Sequence, residues 1–241
     1  MPIDPDQGSS GGGSTVTFTG TALGGATAVR FGDRPATITE NSATSVSVVS
    51  PSGAGVVGAT VTTPGGTSGP VPFYYIPPPV VVAVTPASGP VSGGSAITVT
   101  GRHLGTAESI HFGTTVVTPT VVDDQQLTVL TPVTAAGTVP LVVTTRGGVA
   151  NASFSFVDPP AVTAFSPPTG LPAGGTLVSI TGTNLSTPTS VTFDGLPAVF
   201  AALSDTQIAA LAPAHGLGTA AIVVTTTGGS DTAPGFFIYL L

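Results

Sequence analysis

Few residues in this sequence are of a type and spacing that could do chemistry. The three histidines, His103, His111 and His215, could ligate a metal or carry a proton, and Asp123-Asp124 offers two carboxylates to a cation. Zinc needs three or four ligands converging on one point, and calcium takes several oxygens from one compact loop. The histidines are dispersed, and the aspartate pair stands where a turn caps its own backbone ahead of a strand. Serine is plentiful, but no Gly-x-Ser-x-Gly elbow and no Ser/His/Asp order stands out. The glycine-rich stretches release into strands, with no helix N-terminus and no lysine anywhere in the chain, so they are not phosphate loops. Cysteine is absent, which removes disulfides and thiolate ligands together. Asn151-Ala152-Ser153 and Asn184-Leu185-Ser186 fit the glycosylation triplet, a pattern common by chance. The residues therefore predict no catalytic group, no metal site and no cofactor.

The elements that would have to position any site come in three copies. Gly8 to Gly20 (GSSGGGSTVTFTG), Gly89 to Gly101 (GPVSGGSAITVTG) and Gly170 to Gly182 (GLPAGGTLVSITG) are one pattern, a glycine-rich turn opening a short alternating strand. The closing glycines lie 81 residues apart, and a fixed period of this size sets the architecture before anything else. Matching places also bear on the histidines. His103 stands where Ala22 and Asn184 stand, and His111 where Arg30 and Thr192 stand. Positions that accept such different chemistry suit a solvated face or turn. Asn41-Ser42 and Ser204-Asp205 likewise match the aspartate pair.

Val, Thr, Ile and Phe alternate over short windows bounded by Gly, Pro, Asp and Ser, which predicts strands throughout. In the middle copy these run near Val80–Thr85, Ala96–Thr100, Ser109–Phe112, Thr115–Pro119, Gln126–Thr131, Val139–Thr145 and Ser153–Val157. Seven short strands separated by turn signals predict an immunoglobulin-like sandwich. Phe31, Phe112 and Phe193 are expected as equivalent core anchors, with Leu23, Leu104 and Leu185 beside them. The pairs Gly65-Gly66, Gly147-Gly148 and Gly228-Gly229 predict tight hairpins with positive φ. Pro77-Pro78-Pro79 and Pro159-Pro160 predict short, semi-rigid connections between domains. The expected fold class is all-β, three tandem immunoglobulin-like sandwiches forming an elongated rod, with domains at 1–76, 80–158 and 161–241.

These segments resemble a known family. Thr85-Pro86 and Ser166-Pro167, Gly93-Gly94 and Gly174-Gly175, Leu203-Ser204-Asp205-Thr206-Gln207-Ile208, Asp124-Gln125-Gln126-Leu127 and Thr63-Pro64-Gly65-Gly66-Thr67-Ser68 carry the pattern of the IPT/TIG domain, of the immunoglobulin-like class. The resemblance covers nearly the whole chain three times over. It implies a fold rather than one activity, since the family occurs in surface proteins, phage structural proteins, enzyme-associated modules, receptor ectodomains and transcription factors.

Composition narrows the function further. Among 241 residues, 41% are hydrophobic and 6% charged, the cations are Arg30, Arg34, Arg102 and Arg146 alone, and the net charge is −7. That balance excludes the basic footprint of a nucleic-acid binder and disfavours an anionic membrane surface. Met1 to Asp6 has neither the positive nor the apolar region of a Sec-type signal peptide, and the apolar run Val80 to Val84 is too short to span a bilayer. The expected function is a non-catalytic structural or interaction protein outside the cell or on a cell or particle surface, as a filament subunit, appendage or phage decoration. The other class considered is an accessory carbohydrate-binding or adhesion module, for which Tyr74, Tyr75, Phe236, Phe237 and Tyr239 would be the aromatic platform.

One end-to-end feature predicts a partner. Ile3 matches Val84 and Phe165, so the first copy lacks most of its opening strand and should leave an unpaired edge beside an uncovered apolar strip. Phe236-Phe237-Ile238-Tyr239-Leu240-Leu241 is apolar on both faces of a strand. Ile3 and Phe236 to Leu241 are therefore the candidate contacts for head-to-tail self-association by strand addition or packing.

Overall fold

The structure, a computed structural model, describes residues 1–241 and consists of strands without a helix. It divides into two compact units. One holds Met1–Thr85, Ala96–Leu130 and Pro140–Ser153, the other Pro86–Ser95, Thr131–Val139 and Phe154–Leu241. The first repeat lies wholly in the former and the third wholly in the latter, while the strands of the second are shared between them.

Each glycine-rich turn feeds a strand whose alternation sorts its side chains. Thr15–Thr19 sends Val16 and Phe18 inward, Ala96–Arg102 sends Ile97 and Val99, and Leu177–Thr183 sends Val178 and Ile180. The threonines and serines between them face outward, as a period of two requires. In the third repeat this strand lies second in a sheet ordered Ala161–Ser166, Leu177–Thr183, Gln207–Leu211, Val199–Ser204. Pro188–Phe193, Ile222–Thr226 and Gly229–Thr232 form a further sheet, antiparallel throughout. The core between them gathers Val178, Ile180, Leu185, Val191, Phe193, Ile208, Ile222, Phe237 and Tyr239. The first repeat builds the same core from Val16, Phe18, Leu23, Val29, Phe31, Val46, Val48, Phe73 and Tyr75.

The opening strands keep a common register. Ile3 lies opposite Phe18, Val84 opposite Val99 and Phe165 opposite Ile180. The first repeat has only Ile3–Asp4 where the others have Val80–Thr85 and Ala161–Ser166. After this strand each chain segment crosses over and pairs in parallel with the repeat's last strand: Gly8 with Tyr75, Gly89 with Phe156, Gly170 with Tyr239.

Three expectations are corrected. Thr115–Pro119 is not one strand. Thr115–Val117 pairs with Ala107–Phe112, and Thr120–Val121 pairs with Gln126–Leu130 in a different sheet. Pro119 has no N–H to offer a ladder, and the chain changes sheets there. At the hairpins only the second glycine of each pair has positive φ: 128° at Gly66, 138° at Gly148 and 134° at Gly229. The first glycine lacks positive φ, and at Gly147 and Gly228 main chain fills the Cβ direction instead. Lastly, the short first strand leaves no uncovered apolar strip, because Ile3 packs on the first core and Leu23 stays buried.

Candidate interaction surface

The residues with chemical potential fold into structural duties. Asp124 accepts backbone bonds from His103 (3.2 Å) and Gly105 (3.3 Å), and Asp123 accepts one from Gln125 at 2.7 Å. In the first repeat the Asn41 amide does the same work, accepting from Gly25 and Ala26 and donating to Leu23. Ser204 caps Thr206 at 3.1 Å. Such local side-chain bonds hold turns whose backbone has no ladder partner. His103 takes positive φ (58°), as its counterparts Ala22 and Asn184 do at 57°, so the place is a tight turn in all three copies. His111 lies within a strand opposite Val116 and Val142. His215 stacks on Tyr239 (ring centroids 4.7 Å apart) and approaches Asp194 at 3.6 Å. Nowhere do three His, Asp, Glu or Cys side chains come together.

The C-terminal stretch is apolar on both faces of its strand, one face inside the third core and the other outside it. Phe237 and Tyr239 are fully buried in the third core, whereas Phe236, Ile238, Leu240 and Leu241 are exposed. Phe237 meets Phe193 edge to face at 5.3 Å and Tyr239 at 5.0 Å. Phe31, Phe73 and Tyr75 form the same ladder in the first core, with centroids 4.7 and 5.1 Å apart. Each tyrosine hydroxyl then donates to a proline carbonyl at 2.9 Å, Tyr75 to Pro51 and Tyr239 to Pro213. Burial pushes both phenols above their ordinary pKa of 10.0, and for Tyr75 the nearby Arg34 partly opposes it. Of the proposed aromatic platform, Tyr74 and Phe236 alone reach solvent.

What the third repeat does present is an aliphatic row that the periodicity argument passed over. Leu177 lies opposite Leu211, and Leu211 opposite Val199, on three adjacent strands of one sheet. All three point to solvent, with 62%, 41% and 74% of their surface exposed. Their flanking neighbours Val178 and Ala210 point into the core, so the row is the outer face of the sheet. Directly opposed side chains sit close enough to act as one patch. The equivalent row of the first repeat is Thr15, Val49 and Thr37, again mutually opposed. In the second, Ala96 opposes an exposed Leu130 beside a groove of about 380 Å³ that Val117, Thr118, Thr120 and Thr128 complete. The outer row thus runs from Thr-Val-Thr in the first copy to Leu-Leu-Val in the third.

The fold and its surface define a tandem of immunoglobulin-like β-sandwiches with no helix and an aliphatic outer face on one of them. The IPT/TIG domain family matches residues 1–75, 79–157 and 160–239, and the chain belongs to it as a three-copy member. Among solved structures, the plexin A4 extracellular region is similar at 15% identity and TM-score 0.46, over 100% of this chain and 33% of that one. A surface glycan-binding protein, SGBP-B of Bacteroides uniformis, is similar at 21% identity and TM-score 0.33, over 66% of this chain and 49% of that one. Invasin, a bacterial integrin-binding protein, is similar at 15% identity and TM-score 0.27, over 98% and 59%. The chain therefore spans between a third and three-fifths of the length of these proteins.

Proposed function

We propose that this chain is a non-catalytic interaction protein that works outside the cell or on a cell or particle surface, using the outer faces of its Ig-like domains to hold a protein partner. The observation that carries the reading is the exposed Leu177–Leu211–Val199 row. Three directly opposed aliphatic side chains on a rigid sheet form a contiguous apolar patch, and such patches mark contact sites. Aliphatic groups without a tryptophan or an exposed aromatic cluster favour a protein surface over a sugar ring, which stacks on aromatic faces. Membership of the family sets the fold and leaves the function to the surface residues of this chain.

The test is a photo-crosslinking amino acid in place of Val199, in the cell or particle that carries the chain. The expected result is a discrete crosslinked protein, lost when Leu177 and Leu211 are changed to serine. An absence of protein crosslinks would overturn the reading. Specific micromolar binding to one sugar on a glycan array would replace it with the carbohydrate-binding module.

A further inference from the structure

The sheet that carries the aliphatic row in the third repeat ends in an open edge. Val199–Ser204 pairs with Gln207–Leu211 on one side, and no strand pairs with its other side. Edges of this kind invite another chain to pair unless charge, proline or a bulge blunts them. The first repeat blunts its counterpart. Arg34–Asn41 carries Arg34, Pro35 and Glu40, and its pairing with Ser45–Val49 is interrupted by a bulge between Ile38 and Glu40. The second repeat shortens the strand to Thr120–Val121, between Pro119 and the carboxylates of Asp123 and Asp124. The third keeps Val199, Phe200, Ala201 and Ala202 in unbroken register with Leu211, Ala210, Ala209 and Ile208, free of charge and proline. Its bulge comes only after Ala202.

The ladder fixes which peptide groups face the opening. Ala212 donates its N–H to Thr176 at 2.9 Å, and Thr206 accepts from Gly182 at 3.1 Å. The even-numbered residues of Gln207–Leu211 therefore turn their peptide groups toward Leu177–Thr183. Leu211 and Ala209 turn theirs the other way, to Val199 and Ala201, as antiparallel alternation requires. The N–H and C=O of Phe200 and Ala202 are then left pointing out of the open edge. The side chains of Val199, Ala201 and Leu203 are exposed, while Phe200 packs against the third core.

We propose that this edge pairs with the same edge of a second copy of this chain, antiparallel, about a two-fold axis at Ala201. This rests on the interaction-protein reading and names one partner for it. The strand is complementary to itself in that register. Phe200 of each copy exchanges N–H and C=O with Ala202 of the other, so every open peptide group of both residues is satisfied. The large Phe200 side chain lies beside the small Ala202 rather than beside another ring. Ala201 meets its own counterpart at a non-hydrogen-bonded pair, where Cα atoms approach to about 4.5 Å and a small side chain fits. A slip of two residues in one direction would set Phe200 against Phe200 and lose half of these bonds. On the outer face Val199 comes beside Leu203 of the other copy, so the Leu177–Leu211–Val199 row continues across the joint. Like charges stay apart, because Asp205 falls opposite Pro197 of the other copy and not opposite a carboxylate. The contact is isologous, so it closes at a dimer.

Sedimentation velocity on the full chain tests this, from about 1 µM to about 1 mM, the range in which weak contacts are populated. The expected result is reversible dimerisation that goes no further. Ala201→Glu and Ala201→Lys should each stay monomeric, because either substitution sets like charges face to face at the axis. An equal mixture of the two should dimerise, since opposite charges then meet. The chain has no cysteine, so Ala201→Cys introduces a single thiol. Its distance from its counterpart at the axis is one that a disulfide spans, and a mild oxidant should link it into a dimer. Val116→Cys, exposed on the second repeat, should stay largely unlinked. A parent chain that remains monomeric at the highest concentration overturns the proposal, as do growth beyond dimers and an Ala201→Glu chain that dimerises like the parent. If the charged variants fail to fold, the thiols decide: linking no faster at position 201 than at position 116 overturns the pairing. A monomeric parent that still crosslinks a different protein through position 199 removes this pairing and leaves the broader reading intact.

Discussion

Changing Tyr239 to phenylalanine deletes one oxygen and isolates one bond of the third core. The hydroxyl donates to the Pro213 carbonyl at 2.9 Å, and the ring is otherwise held by Phe237 and His215. Phenylalanine keeps those ring contacts. The loss is a neutral hydrogen bond, worth about 0.5–1.5 kcal/mol net, together with a proline carbonyl left short of its donor, for a total of about 1–2 kcal/mol. In a domain of this size each kcal/mol moves Tm by about 4–8 °C, so the third domain should melt about 4–16 °C lower. The pH dependence has a definite sign. Burial raises the folded-state pKa of Tyr239 above its ordinary 10.0, so the fold favours the neutral phenol. That contribution is complete below the unfolded value and is lost as pH rises through the raised folded value. The parent third domain should therefore weaken above pH 10, and the phenylalanine variant should weaken less, closing the gap. Tyr75→Phe should repeat the pattern in the first domain through its bond to Pro51. Differential scanning calorimetry at neutral and alkaline pH reads both effects. An unchanged third transition at neutral pH, or an alkaline loss as large in the variant as in the parent, would refute the reasoning.

Phe193→Ala removes a fully buried ring packed against Phe237 and should cost about 3–5 kcal/mol, visible as a lowered third transition while the first keeps its temperature. Gly228→Ala forces a methyl into the Asp158 carbonyl and should lower the third transition, whereas Gly65→Ala, whose Cβ direction is open, should raise the first by about 2–8 °C. Leu177→Thr with Leu211→Val brings the row toward that of the first repeat and should change stability by no more than about 0.5 kcal/mol while weakening the crosslink through position 199. Chelator should leave all transitions in place, since the Asp124 carboxylate is already engaged by the backbone of His103 and Gly105.

Much of this fold is legible in the sequence because each strand carries its own inside-outside code. Val16 and Phe18, Ile97 and Val99, and Val178 and Ile180 are buried as period two demands, and the 81-residue repeat supplies three independent readings of it. The register of the opening strand follows too, Ile3 standing opposite Phe18 as Val84 stands opposite Val99. At the C-terminal stretch composition does not say which face turns inward, because burial depends on the partner sheet as well. Phe236 and Phe237 are identical residues, yet the ladder that begins at Phe193 selects one and leaves the other in solvent. The outer row is hidden from the sequence for a different reason. Leu177, Leu211 and Val199 lie far apart in sequence and become neighbours only when their three strands align, so no local pattern announces them.

The glycine pairs show how one residue type can be kept for reasons that the local sequence does not contain. Gly66, Gly148 and Gly229 explain themselves, because a φ near 130° is costly for any side chain. Gly147 and Gly228 are explained by a carbonyl that arrives from outside their own hairpin. Gly65 has neither reason within its own repeat. Its backbone angle is ordinary and its Cβ direction is open, so alanine there would stabilise the fold by about 0.4–1 kcal/mol through the unfolded chain. The first repeat carries the glycine as part of a unit whose other two copies need it. A methyl group therefore has opposite signs at equivalent places: at Gly228 it meets the Asp158 carbonyl and lowers the third transition, and at Gly65 it meets open space and raises the first.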